Sequence, residues 1–209
     1  MNVMGEPRVV PMFPLGTVLF PHALLPLHVF EPRYRLMTRR VMNGDGEFGV
    51  VLIERGSEVG GGDARFGVGT IARVVRAQEL PDGGYALATV GIRRVRVDRW
   101  LPDDPYPQAE VVDVAETASA GDDARRAQTF ETLAEVWELH RRMDPRLPPV
   151  PVIADEPAQA SYEIAALAPI GPHDAQRVLE APGAGARLDL LTEFLADHMQ
   201  MLRAGGDLG

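Results

Sequence analysis

The first half of the chain alternates short apolar runs with turns rich in glycine and proline, a pattern that predicts β-strands. Between residues 11 and 37, five prolines each remove a backbone donor and push the preceding residue toward extended geometry, which excludes one long helix. We therefore predict short strands at 18–20 and 24–30. After Pro32 the apolar positions change to helical spacing, so a helix follows and ends near Asn43.

Further strands are predicted in four stretches, at 47–54, 66–80, 85–100 and 109–114. Glycines at 60–62 indicate a flexible hairpin connection. The residues at 81–84, Pro-Asp-Gly-Gly, strongly favour a tight turn. Because short strands joined by tight turns can close into a ring without exposed edges, this half of the chain predicts a closed or nearly closed barrel.

Residues 92–100 show the clearest alternation of apolar and charged positions in any predicted strand. Val95 and Val97 fall on one face, and Arg94, Arg96 and Asp98 fall on the other. We therefore expect the arginine face of this strand to lie in solvent.

The second half changes to helical periodicity after a small, acidic segment at 116–123. Four helices are predicted: one capped by Asp122 or Asp123 that ends before Pro145, one capped by Asp155 that ends before Pro169, one at about 172–180, and one that carries Leu188 through Leu202. The proline-rich stretch 144–157 is predicted to be an extended connector. The fold class is therefore α+β, with a β-barrel subdomain at 1–116 and a helical bundle at 117–209 that ends in a short disordered tail.

Composition excludes several kinds of chemistry. The 209 residues contain no cysteine and no lysine, so disulfides, thiolate metal sites, a Walker lysine and a Ser-Lys catalytic pair are all excluded. The net charge of −9 disfavours a protein that neutralises many phosphates of a duplex. The first residues do not resemble a secretory signal, and no apolar run is long enough to span a membrane, so we expect a cytoplasmic protein.

Candidate catalytic residues are few and do not form a recognisable motif. The three serines and five histidines fit neither a GxSxG elbow nor HExxH, and no two histidines lie three or four residues apart. His28 is expected to be a strand residue, and His140 and His198 are expected to lie on helix faces. The sequence predicts no catalytic residue, no cofactor and no metal site.

Several stretches together resemble one family, the N-terminal substrate-binding domain of the ATP-dependent Lon proteases in its free-standing bacterial form. These stretches are PMFPLGTVLFPHALLPLHVFEPRY at 11–34, FGVV at 48–51, GVGTIARV at 67–74, GIRRVRV at 91–97 and PIGPHDAQRVLEAPGAGARLDLLTEFL at 169–195. The resemblance covers about residues 9 to 203. It implies a β pseudobarrel of the PUA-like type followed by a C-terminal α-helical bundle.

The same resemblance implies a binding function without catalysis. Full-length Lon continues into an ATPase and a Ser-Lys peptidase, both of which need lysines that this chain lacks. We therefore expect a module that binds unfolded or apolar peptide segments, either alone or as an adaptor for a separate protease. The candidate contact residues are apolar, with core packing as the structural alternative for each: Phe20, Pro21, Leu24, Leu25, Leu147, Val150 and Ile153.

Charged residues at the junction around Pro32 have two interpretations. Glu31 and Arg33 could grip a peptide, but we favour a structural role in which they and Tyr34 tie the strand-to-helix junction to the barrel through Arg93.

Two functional alternatives remain from the sequence. PUA-like folds include RNA binders, and six arginines lie on strands expected to be neighbours: Arg73, Arg76, Arg93, Arg94, Arg96 and Arg99. The acidic total and the interspersed acidic residues argue against that reading and favour a solvated face. The other alternative is a small-molecule binding protein or an uncharacterised hydrolase, which would need polar groups converging in a deep pocket.

Overall fold

A computed structural model describes residues 3–55 and 64–206. The chain divides into two compact units, Met1–Ala115 and Glu116–Gly209. The predicted glycine connection at 60–62 and the end of the predicted tail lie outside the described residues.

The first unit contains six strands and one helix. The strands are β1 (Val3–Leu15), β2 (Leu24–Val29), β3 (Glu47–Arg55), β4 (Ala64–Glu79), β5 (Tyr85–Trp100) and β6 (Gln108–Val114), and helix α1 (Pro32–Met42) follows β2. Pro32 at the first turn and the Asn43 cap bound α1 where the sequence predicts.

Five of the strands form a ring. The sheet order is β2-β5-β4-β3-β1-β6, and an additional pairing between β5 and β6 closes it. β1 and β3 are parallel, whereas the other neighbours are antiparallel. The predicted α+β class and barrel are confirmed, and β2 is added to the ring at one side of β5.

Buried apolar side chains form two core clusters, one drawn from the five strands of the ring and one that includes α1 and β2. Phe13 stacks on Tyr34 of α1 with ring centroids 4.2 Å apart, and Met37 and Val41 extend the same cluster. Gly69 of β4 lies so close to β3 that a Cβ atom there would collide with the Val50 carbonyl oxygen. These contacts make α1 part of the core and hold it beside β1 and β2.

The predicted strand at 18–20 is wrong. These residues follow β1 as an irregular segment, although Leu19 and Phe20 are buried. The Leu19 carbonyl accepts a hydrogen bond of 2.6 Å from the Thr70 hydroxyl, and the Phe20 carbonyl accepts one from the Ala23 amide in a turn. A side chain and a turn therefore satisfy carbonyls that a strand ladder would otherwise use.

The prediction that Arg94 faces solvent is also wrong, because its side chain is only 1% exposed. Arg94 pairs in register with Thr70, whose hydroxyl binds Leu19. The irregular segment after β1 therefore lies over this part of the sheet. Asp98, farther along β5, is exposed as predicted.

The second unit contains four helices, α2 (Asp122–Met143), α3 (Pro157–Leu167), α4 (Pro172–Glu180) and α5 (Ala184–Gly206). The predicted caps are wrong. Gly121 occupies the cap position of α2, and the side chain of Asp122 turns back to Ser119. Glu156, not Asp155, caps α3 and accepts hydrogen bonds from the Ala158 and Gln159 amides. Its longer side chain reaches the same two donors that an aspartate cap would.

Candidate peptide-binding surfaces

Strand β2 offers an open edge. It pairs with β5 through the whole of Leu24–Val29, and it stands at the end of the strand order, so its other edge has no strand partner within the part of the chain that the structure describes. Leu25, Leu27 and Val29 turn toward the core, whereas Leu24 and Pro26 are exposed. Such an edge can accept an extended peptide, although Pro26 lacks one of the backbone donors.

A cleft of about 180 Å³ lies beside this strand. Phe13, Leu15 and Leu27 give it an apolar lining, and Phe30 and Glu31 lie at the end of the strand. Phe30 is 50% exposed and Leu24 at the other end of β2 is 74% exposed. The cleft has room for one large side chain and is smaller than a typical drug-sized ligand pocket.

The apolar candidates from the first unit therefore differ in exposure. Phe20 is 4% exposed and Pro21 is buried, so neither offers its side chain to a ligand in this conformation. Leu25 is half-buried against the core cluster. Leu24 is available for contact.

The candidates from the second unit lie on the connector between α2 and α3. Leu147 and Val150 are half-buried, Ile153 is buried, and the neighbouring Val152 is almost fully exposed. The connector is held to α2 through its backbone, because the Trp137 indole donates to the Pro148 carbonyl at 2.8 Å. The segment is extended, as the prolines predict, but it is fastened to the helix.

Glu31 and Arg33 bind each other at the start of α1. The Arg33 Nε donates to Glu31 Oε2 at 3.0 Å, and the Arg33 guanidinium lies over the Tyr34 ring, 4.6 Å from its centroid. The proposed tie to Arg93 is not what the structure shows. Arg93 instead binds Glu47 at 2.8 Å and Asp113 at 3.2 Å, since β3 and β6 bring those carboxylates nearer to it.

Arg93 is the centre of a chain of alternating charges. Arg8 of β1 binds Asp113, Asp113 binds Arg93, Arg93 binds Glu47, and Glu47 binds Arg73 of β4. Burial would raise the pKa of Glu47, but hydrogen bonds from Arg93 and Arg73 outweigh burial and hold that pKa below its usual value. This chain of alternating charges links all five strands of the ring.

A second cleft, of about 400 Å³, adjoins this chain of charges. Val10, Val41 and Ile71 contribute apolar surface, and Arg8 and Glu47 lie at its polar side. The cleft thus shares two residues with the ion pairs that hold the strands together.

The arginines considered for RNA are largely engaged within the protein. Arg73 and Arg93 bind carboxylates, Arg99 binds Glu110 at 2.6 Å, and Arg94 is buried. These contacts neutralise much of the positive charge that an RNA surface would require.

The sequence predicts that His140 and His198 lie on helix faces, and the structure brings the two side chains together. Their Nε2 atoms lie 3.1 Å apart, on α2 and α5. The signal in the sequence was the spacing of Thr129, Leu133 and Val136, which places His140 on the same face of α2. No group of three or more His, Cys, Asp or Glu residues suited to a metal occurs among residues 3–55 and 64–206.

The helices described here are too short or too polar to cross a membrane.

Comparison with known proteins identifies the family. Residues 9–197 match the model of the ATP-dependent protease La (LON) substrate-binding domain. Lon protease from Anaeromyxobacter dehalogenans is 30% identical over 212 residues, covering 97% of this chain and 25% of that protein. Lon protease 2 from Myxococcus xanthus is 28% identical over 214 residues, with the same coverage of 97% and 25%. The chain thus spans about a quarter of the length of these relatives.

Solved structures agree with this match. A Lon N-terminal domain protein from Xanthomonas campestris is 26% identical, with a TM-score of 0.64 over 88% of this chain and 96% of that one. The N-terminal domain of a Mycobacterium avium complex Lon protease shares the fold at 18% identity, with a TM-score of 0.69 over 91% of this chain and 100% of that one. The chain belongs to the Lon substrate-binding domain family.

Proposed function

We propose that this chain binds unfolded or apolar polypeptide segments and performs no bond chemistry. The observation that carries the proposal is the apolar cleft beside β2, whose lining includes exposed Phe30, in a domain of a substrate-binding family. Exposed Leu24 lies at the other end of the same strand. The sequence contains no lysine, so it lacks both the Walker lysine of a Lon-type ATPase and the lysine of a Ser-Lys peptidase pair.

Binding would combine side-chain burial with limited backbone pairing. A client leucine or phenylalanine enters the 180 Å³ cleft, and the adjacent client backbone pairs with the free edge of β2. Pro26 interrupts the donors along that edge, so most of the affinity comes from apolar burial. Such a site recognises exposed apolar segments in general and discriminates weakly among sequences.

The cellular role that follows is proteolysis-associated quality control in the cytoplasm. The chain would hold an exposed segment or present it to a separate protease, since it lacks the residues to cut the segment itself. The Lon relatives carry the corresponding domain within a protein about four times as long.

The test is binding of a fluorescent, permanently unfolded apolar peptide, followed by anisotropy. The variant Leu24→Ser/Phe30→Ser should weaken binding about tenfold or more, because two exposed apolar side chains are removed. Met42→Ser is the matched control, since Met42 is 46% exposed in the same unit and lines neither cleft. Equal affinity in the double variant and the control would contradict this site, and ATP hydrolysis or peptide cleavage by the purified chain would contradict the function.

A further inference from the structure

One face of α2 packs along one face of α5. We call this helix–helix contact the seam, and its side chains meet in successive layers. The Thr129 and Thr192 hydroxyls lie 2.8 Å apart in a polar layer, and buried Leu133 and Leu195 supply apolar layers farther along. Farther along the same face of α2, His140 meets His198 of α5. The histidine pair is therefore a further layer of the seam, close to the C-terminal end of α2.

The two imidazoles converge through the same type of nitrogen atom. Their Nε2 atoms are 3.1 Å apart, and their ring centroids are 5.1 Å apart with the planes inclined by 60°. Both side chains are half-buried, so solvent and small ions can reach the pair.

The surroundings of His198 favour its neutral form. Burial and the neighbouring His140 both lower the pKa of His198. In the neutral pair one Nε2–H donates to the other Nε2, whose lone pair accepts. A neutral imidazole is also the form that coordinates a metal ion.

We propose that His140 and His198 chelate a divalent late transition metal, such as Zn²⁺, Ni²⁺ or Cu²⁺, through their two Nε2 atoms. Imidazole is a preferred ligand for these ions. With metal–nitrogen bonds of about 2.0–2.1 Å and tetrahedral angles, two ligand nitrogens lie about 3.3 Å apart, so the observed pair needs to open only slightly.

The two imidazoles neither gain nor lose a proton overall when the metal binds. Before binding, one ring carries its proton on Nε2; on binding, that proton is exchanged through solvent to Nδ1, and both Nε2 lone pairs face the metal. The described residues supply no third ligand group, so water completes the coordination. The site is therefore expected to be exchangeable, and the bound metal joins α2 to α5.

Calorimetric titration with Zn²⁺ is the test, using the whole chain. The unmodified protein should bind one Zn²⁺, and His140→Gln and His198→Gln should each weaken that affinity by at least about tenfold. His28→Gln is the control, because His28 is exposed on β2 of the other unit and should leave the affinity unchanged. Equal Zn²⁺ affinity in all four proteins, or no saturable binding below about 1 mM, would overturn the proposal.

A second measurement does not depend on the variants folding. Electron paramagnetic resonance of one equivalent of Cu²⁺ bound to the unmodified protein should show hyperfine coupling from two imidazole nitrogens. Coupling from a single nitrogen, or from none, would overturn the proposal and leave the pair as a hydrogen bond between α2 and α5.

Discussion

The Glu116 carboxylate binds the fully buried Arg187 guanidinium, with Arg187 Nη2 donating to Glu116 Oε2 at 2.7 Å. Arg187 also donates from Nε to the Ser161 hydroxyl at 2.8 Å and lies over the Tyr162 ring, 4.0 Å from its centroid. The Tyr162 hydroxyl binds the other oxygen of Glu116. The Arg187 guanidinium of α5 thus connects two parts of this unit, the segment that precedes α2 and helix α3.

Glu116→Ala should destabilise the protein because it leaves a buried cation without its carboxylate. We expect a loss of about 2–3 kcal/mol in the free energy of unfolding, below the value for a fully buried pair because Glu116 is 37% exposed. Urea denaturation measures this loss. The control Glu135→Ala removes an exposed pair with Arg203 and should change stability by less than about 0.5 kcal/mol; equal losses in the two variants would contradict the argument.

Glu31→Ala should lower the melting temperature as its first effect. The variant removes a 3.0 Å charge-assisted hydrogen bond in which both side chains are less than one-fifth exposed, and it frees Arg33 from its position over Tyr34. We expect a loss of about 1–2 kcal/mol, measured by thermal unfolding. Unchanged melting together with lost peptide binding would assign Glu31 to ligand recognition instead. Asp144→Ala, which removes a partner of highly exposed Arg146, is the control.

Elements bounded by proline could be predicted from the sequence because the proline effect is local. α1 begins at Pro32, and α3 ends at Leu167 just before Pro169, as the pattern indicates. The strand series also follows from local turns. The ring closure by β5 and β6 agrees with the expected barrel, although the register shift between Val97 and Arg99 in that pairing is not visible in the pattern.

Features that depend on distant parts of the chain could not be predicted. The segment at 18–20 has strand-like composition, but Thr70, about 50 residues away, satisfies its carbonyl. Arg94 is buried because that segment covers it, and His140 meets a residue 58 positions later. In each case tertiary contacts outweigh the local pattern. The candidate site was hard to predict for the same reason, because the local pattern does not show that Phe20 is buried and Leu24 is exposed.

His198 should make the stability of the folded protein depend on pH in the weakly acidic range. The pKa of His198 is lowered in the folded protein, so the unfolded chain binds its proton more readily. The free energy of unfolding should therefore fall as the pH drops through the unfolded value of 6.5 toward the lower folded value. Urea denaturation at several pH values measures this dependence. His198→Gln should flatten the dependence of the unfolding free energy on pH between about pH 7 and about pH 5.5. A dependence as steep as that of the unmodified protein would contradict the attribution of this effect to His198.

Glu47→Gln should weaken the ring of strands, because Glu47 joins Arg93 and Arg73 and its pKa is lowered by them. We expect a loss of about 1–2 kcal/mol at neutral pH, moderated by the exposure of Arg73. Since the folded pKa lies below the unfolded one, the stabilisation by Glu47 is complete above about pH 5 and is lost as the pH falls through the folded value. The difference in unfolding free energy between the two proteins should therefore shrink in acid, as urea denaturation at stepped pH would show. Glu110→Gln, which removes the carboxylate that binds exposed Arg99, is the matched control. A difference that stays constant with pH would show that Glu47 acts through packing and not through its charge.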